Sequence, residues 1–221
     1  MPVGKNSDML RLMPKIQITS SQDPFGSRQI ARLAVGLIAT AEAMGLLDRM
    51  EIRRLDLPTF RRIVDRIAAA GIGTEVQAAL STPASGPGAE EGMRELLARL
   101  SVAIEESPVP AHEWPALSRL FGAERLAQLV GVSPASVRRY ETGSRSTPDQ
   151  IAARLHFLAT LVGDLAGAYN EIGIRRWFGR PRSPLDGKAP DEILNGDWDP
   201  DDPAVRQIRE LARSLGASNA T

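Results

Sequence analysis

Four residues, Gly131-Val132-Ser133-Pro134, constrain this chain more than any other feature, because they stop one helix and start the next within a single turn. Glycine takes the left-handed backbone of a helix C-cap at little cost. Serine is a good N-cap, and proline suits the first helical position. Upstream, Leu126, Ala127 and Val130 fall on one face at helical spacing, so Glu124 to Val130 reads as a short helix. Downstream, a helix from Pro134 to Glu141 should bury Val137 with part of Tyr140. It turns Ala135, Ser136, Arg138 and Arg139 outward and ends at Gly143. A polar, doubly basic face on a short helix braced by a second helix is what reading a DNA major groove requires.

The run LAxxxGVS, four residues, then RxYExG resembles the Xre (phage-repressor-like) helix-turn-helix. The resemblance implies that the second helix lies in the major groove, with Pro134, Ala135, Ser136, Arg138 and Arg139 facing bases and phosphates. It implies that Val137 is a core residue, and that Thr142 and Arg145 run beside the phosphates. With the N-cap Ser133, these are the expected DNA contacts. Many members have glutamine early in the first helix, touching a phosphate; this chain has Ala123 there. A winged helix of the MerR type also suits VSPASVRRYE, but it needs a wing next, and SRSTPDQIAARL reads as a helix.

Zero net charge is unexpected for a DNA binder, but the charge is unevenly placed. Residues 119 to 182 hold ten arginines against five acids, whereas residues 183 to 221 hold four basic and eight acidic residues. The positive segment coincides with the candidate DNA-reading helices, as attraction to phosphate demands.

Apolar spacing elsewhere predicts an all-helical fold. Residues 1–26 are unpatterned and read as a flexible tail. In the helical region 27–80, Ile30, Leu33, Ala34, Leu37, Ile38, Ala41, Met44 and Gly45 form one stripe. A second helix is capped by Thr59 and carries Phe60, Ile63, Val64, Ile67 and Ala68, and a third runs from Thr74 to Leu80. Residues 81–89, STPASGPGA, read as a linker. The DNA-binding domain is expected over 90–170, with Trp114 as a core anchor. Thr147-Pro148-Asp149-Gln150 looks like a capping box for a helix reaching Asn170. That helix places Ile151, Leu155, Leu158, Val162, Leu165 and Tyr169 along a heptad seam. Its first half could close the domain core, and its second half could pair with another subunit, giving the homodimer usual for two DNA half-sites.

Residues 171–221 form the expected C-terminal domain. IRRWFGRPRSPLDGKAPDEIL, with Trp177, Pro181, Leu185, Gly187, Pro190 and Leu194, resembles the C-terminal domain of Xre/MbcA/ParS-type antitoxins. That family's domain binds and blocks a RES-type toxin that consumes NAD or ADP-ribosylates a target. The resemblance makes those six residues and Phe178 the expected partner-binding set. It covers about residues 117 to 215 and leaves the N-terminal region outside. One of the adjacent Trp177 and Phe178 is expected to pack on the long helix and the other to anchor a partner.

No enzymatic pattern is present: His112 and His156 are isolated in sequence, and neither a nucleophile elbow nor a phosphate loop occurs. The acids of DWDPDD lack the glycine and the twelfth-position acid of a calcium loop, so no metal is expected there. No cofactor is implied. The chain has no cysteine, which excludes disulfides and thiol chemistry. With no membrane-length apolar run and no signal-peptide core, the expected location is the cytoplasm. The expectation is a sequence-specific transcriptional regulator of the antitoxin kind, binding double-stranded DNA and repressing its own promoter. A solitary transcription factor and an adaptor that no longer binds DNA are the alternatives.

Overall fold

In the computed structural model, which describes residues 16–48, 50–80 and 88–218, the apolar spacing resolves into eleven α-helices and one two-stranded sheet. The order is β1 (Ile16–Ser21), α1 (Arg28–Ala43), β2 (Ile52–Leu55), α2 (Leu57–Ala69), α3 (Thr74–Leu80), α4 (Ala89–Glu105) and α5 (Pro110–Phe121). It continues with α6 (Ala123–Val130), α7 (Pro134–Glu141), α8 (Asp149–Ala166), α9 (Glu171–Phe178), α10 (Pro190–Ile193) and α11 (Pro203–Ser218). The mostly helical fold agrees with the sequence pattern. No helix among the described residues is long and apolar enough to cross a membrane.

The sheet was not anticipated. β1 and β2 run parallel with α1 between them, Ile16 opposite Ile52 and Ser21 opposite Leu55. β1 alternates apolar and polar residues only over Ile16 to Thr19, and β2 does not alternate. In IRRL both central arginines are exposed between a buried Ile52 and a buried Leu55, so the usual period-two signal is missing. The expected tail is corrected over residues 16–26. Beyond β1, Phe25 is fully buried and its ring lies 5.1 Å from that of Phe60. Residues 1–15, and 81–87 of the expected linker, lie outside the described residues.

Local signals set the helix starts. Ser27 caps α1 by accepting from the Ile30 N–H. Asp56, rather than the expected Thr59, caps α2: its carboxylate accepts from the Thr59 N–H at 2.8 Å. The hydrogen bonds from Thr59 also hold the Asp56 carboxyl below its ordinary range. The expected capping box at 147–150 does not form, because Pro148 precedes α8 without a side-chain cap and Thr147 accepts instead from Trp114 Nε1 at 2.9 Å.

α8 is the centre of the molecule. It packs against α1, α5, α6, α9 and α11 and is buried on nearly every side from Ala152 to Leu165. The expected heptad seam is therefore corrected. Leu155, Leu158, Val162 and Leu165 are all buried within the chain, and the helix second half has no free apolar face for another subunit. The stripe read on α1 packs against α8 and α4, except for Leu33, which is exposed, and joins the N-terminal region to the same core. Across that core, Arg209 and Arg213 of α11 pair with Glu105 of α4 and Asp164 of α8 at 2.8 to 3.4 Å. Burial pushes the Asp164 carboxyl up, and the two arginines oppose it.

Gly163 lets α1 come close to α8: a Cβ there would lie 2.6 Å from Thr40 Cα. On α1, Gly36 would meet nothing within 4 Å. Replacing a helical glycine by alanine gains up to about 1 kcal/mol in helix propensity. Overpacking a helix contact costs about 1–3 kcal/mol. Gly36→Ala should therefore raise the melting temperature and Gly163→Ala should lower it. A stabilised Gly163→Ala protein would contradict the close α1–α8 contact.

Candidate nucleic-acid interface

The α6–α7 pair forms where the caps predict it. Gly131 takes φ +80° after α6, and its N–H closes the helix on the Ala127 carbonyl at 3.0 Å. Ser133 then caps α7, its hydroxyl accepting from the Ser136 N–H at 3.2 Å, with Pro134 in the first turn. Leu126, Ala127, Leu129 and Val130 of α6 are buried, as are Val137 and Tyr140 of α7. The Tyr140 ring stacks on Trp114 of α5, centroids 5.3 Å apart. Trp114 is thereby fixed between Tyr140 and Thr147 and is fully buried. This aromatic stack seats α7 against its scaffold and determines which face is left outside.

That outer face carries the sequence-expected set. Ser133, Pro134, Ala135, Arg138, Arg139, Thr142 and Arg145 are exposed and Ser136 is partly so. The loop after α7 folds back on it: Thr142 Oγ1 donates to the Arg138 carbonyl at 2.9 Å and Ser144 Oγ to the Arg139 carbonyl at 3.1 Å. The Arg145 guanidinium lies over the Tyr140 ring at 5.4 Å, which brings a third cation beside Arg138 and Arg139. Arg138 meets Glu124 only at 3.8 Å, both side chains largely exposed. Such a pair contributes little and is easily exchanged for another anion.

The positive field is more local than the count of arginines implies. Arg154 is buried and paired with Asp197. Arg125 pairs with Asp191 at 3.0 Å, Arg175 donates to the Leu120 carbonyl, and Arg182 lies over the Trp177 ring. These four hold the C-terminal segment to the helices rather than facing outward as a group.

Most of the expected partner-binding set lies inside the chain. Trp177, Phe178, Leu185, Pro190 and Leu194 are buried within the chain; only Pro181 and Gly187 are exposed. Adjacent residues on a helix point about 100° apart, yet Trp177 and Phe178 are both covered. Phe178 stands edge-on to Phe121 of α5 at 5.0 Å, and α9 also touches α8 and α10. No exposed aromatic anchor is left on α9. The acids of DWDPDD are also engaged locally: Asp202 accepts from the Asp199 N–H and Asp199 from the Asp201 N–H. Among the described residues, no group of three or more histidine, aspartate or glutamate side chains is placed to hold a metal.

His156 is not isolated in space. Its Nδ1 is 2.6 Å from Glu113 Oε1, and its Nε2 is 3.0 Å from the Glu105 carbonyl. Forty-three residues separate the two side chains, so no local motif could reveal the pair. A backbone carbonyl only accepts, so Nε2 carries a proton. A second proton must lie between Nδ1 and the carboxylate, leaving the pair neutral overall. Burial pushes the Glu113 carboxyl above the ordinary glutamate range, and the bond with His156 opposes that. The folded chain then holds a proton that the unfolded chain releases. Stability from this group is present at low pH and is lost as pH rises through the raised value. Glu113→Gln can still donate an amide N–H to Nδ1 and should fold with that pH dependence removed. Glu113→Ala should cost about 1–3 kcal/mol by orphaning the histidine. Urea denaturation across pH measures both effects; a Gln variant that keeps the wild-type pH slope would contradict the assignment.

The chain matches no family model, no curated protein and no solved structure.

Proposed function

We propose that the chain is a sequence-specific double-stranded DNA-binding regulator that reads the major groove with the outer face of α7. The observation that carries this reading is the seating of α7. Val137 and Tyr140 are buried on α5 and α6, while Arg138, Arg139 and Arg145 project from the other side beside exposed Ser133, Pro134, Ala135 and Thr142. A short helix held from behind and polar in front fits the width of the groove. Repression of its own promoter, as a homodimer in the cytoplasm, is the biological form of the proposal. The dimer would use a surface other than the buried seam of α8.

The antitoxin resemblance leads to a narrower proposal. A RES-type toxin would have to dock on what the C-terminal segment leaves exposed, such as Pro181, Pro184 and the turn Asp186 to Lys188, rather than on Trp177 or Phe178.

Binding to the DNA upstream of the chain's own coding sequence, followed by fluorescence anisotropy over a range of salt, tests the reading. A base-directed arginine is worth about 1–3 kcal/mol, and each lost phosphate contact lowers the salt slope by about one unit. Arg138→Ala combined with Arg139→Ala should abolish specific binding and leave helicity intact. A double variant that binds like the wild type at every salt concentration would remove the proposal.

A further inference from the structure

The C-terminal end of α6 presents carbonyls with no partner in the helix itself, and two of them are met by side chains farther along the chain, one on α8 and one in the 196–198 segment. Trp198 Nε1 donates to the Leu129 carbonyl at 2.8 Å. Arg154 of α8 donates to the Val130 carbonyl at 3.3 Å, and also to the carbonyls of Gly196 at 3.4 Å and Trp198 at 2.6 Å. Its Nη2 pairs with the Asp197 carboxylate. Arg154 thus spreads its guanidinium over four acceptors from both sides of one contact, which a lysine with a single ammonium could not reproduce.

The contact is close enough to exclude a side chain. A Cβ on Gly131 would lie 2.1 Å from the Gly196 carbonyl oxygen. Gly131 is needed for its positive φ and also for this approach. The Trp198 ring is held edge-on to Phe157 at 5.4 Å, with the Arg154 guanidinium 5.6 Å from its centre. All of this bears on Gly131, the residue at which the chain leaves α6 for α7.

We infer that Gly196 to Trp198 is a clamp on the α6–α7 turn, with Trp198 and Arg154 as positioning residues that set how α7 presents its outer face. The functional end of this inference rests on the DNA-binding reading; the clamp itself does not. It makes the C-terminal segment a working part of the helix pair, so a load on that segment reaches α7 through the turn. A chain cut after Asn170 would lose the Trp198 donor and leave the buried Arg154 without three of its acceptors.

The test uses the full chain with Trp198→Phe, which keeps an aromatic ring beside Phe157 and removes the N–H. Trp177→Phe is the control: Trp177 is equally buried, but its Nε1 has no partner. Amide hydrogen exchange at Gly131 and Val132 should rise about tenfold in the Trp198 variant, the worth of one hydrogen bond, with α8 amides unchanged. DNA affinity should fall in parallel, and the Trp177 variant should show neither effect. Unchanged exchange at the turn, or a uniform rise that includes α8, would overturn the clamp. Faster exchange with unaltered DNA affinity would overturn its link to α7. If the wild type binds no DNA, the functional reading fails, while the exchange comparison still decides the clamp.

Discussion

Burying α8 on nearly every side obliges each polar group it carries to find a partner inside the protein, because an unpaired buried donor or charge is costly. Three such groups lie on it, and all are satisfied. Arg154 reaches four acceptors at the end of α6 and the 196–198 segment. His156 bridges Glu113 of α5 and the end of α4. Thr160 returns to its own helix, donating to the Phe157 carbonyl. The first two reach across to different parts of the fold. α8 therefore orients the regions before and after it as well as filling the space between them.

The exposed face of α7 follows from the same arrangement. α5 is fixed to α8 through Glu113 and His156 and carries Trp114 on the adjoining position. Trp114 sets Tyr140 by stacking, and Tyr140 with Val137 sets the rotation of α7. Arg138 and Arg139 are outside because their neighbours on either side are inside. The proposed interface is thus a consequence of core packing, and its precision depends on residues that touch no ligand.

Local chemistry was readable in the sequence and tertiary pairing was not. The α6–α7 turn could be read because Gly131, Ser133 and Pro134 act on the backbone next to them. The inward face of α2, with Phe60, Ile63, Val64 and Ile67, could be read from helical spacing. The β1–β2 pairing depends on two short segments more than thirty residues apart, of which only β1 alternates, and over four residues. Arg154 looked like part of a DNA-facing charge cluster, since sequence counts charge without locating Asp197 opposite it. One of Trp177 and Phe178 looked like a partner anchor, because adjacent residues on a helix face different directions. Packing in the cleft between α5, α8 and α10 covers both. The heptad spacing of α8 was real, but it signalled a core helix rather than a seam between subunits. A helix that is apolar all round belongs inside.

The most direct measurement of the account is a hydrogen-exchange footprint of the wild-type chain with and without a duplex from its own upstream region. Added protection should fall on Ser133 to Arg145, with the α8 amides unchanged. Protection confined to other helices, or none at DNA concentrations that saturate binding, would contradict the assignment of α7 as the DNA-reading surface.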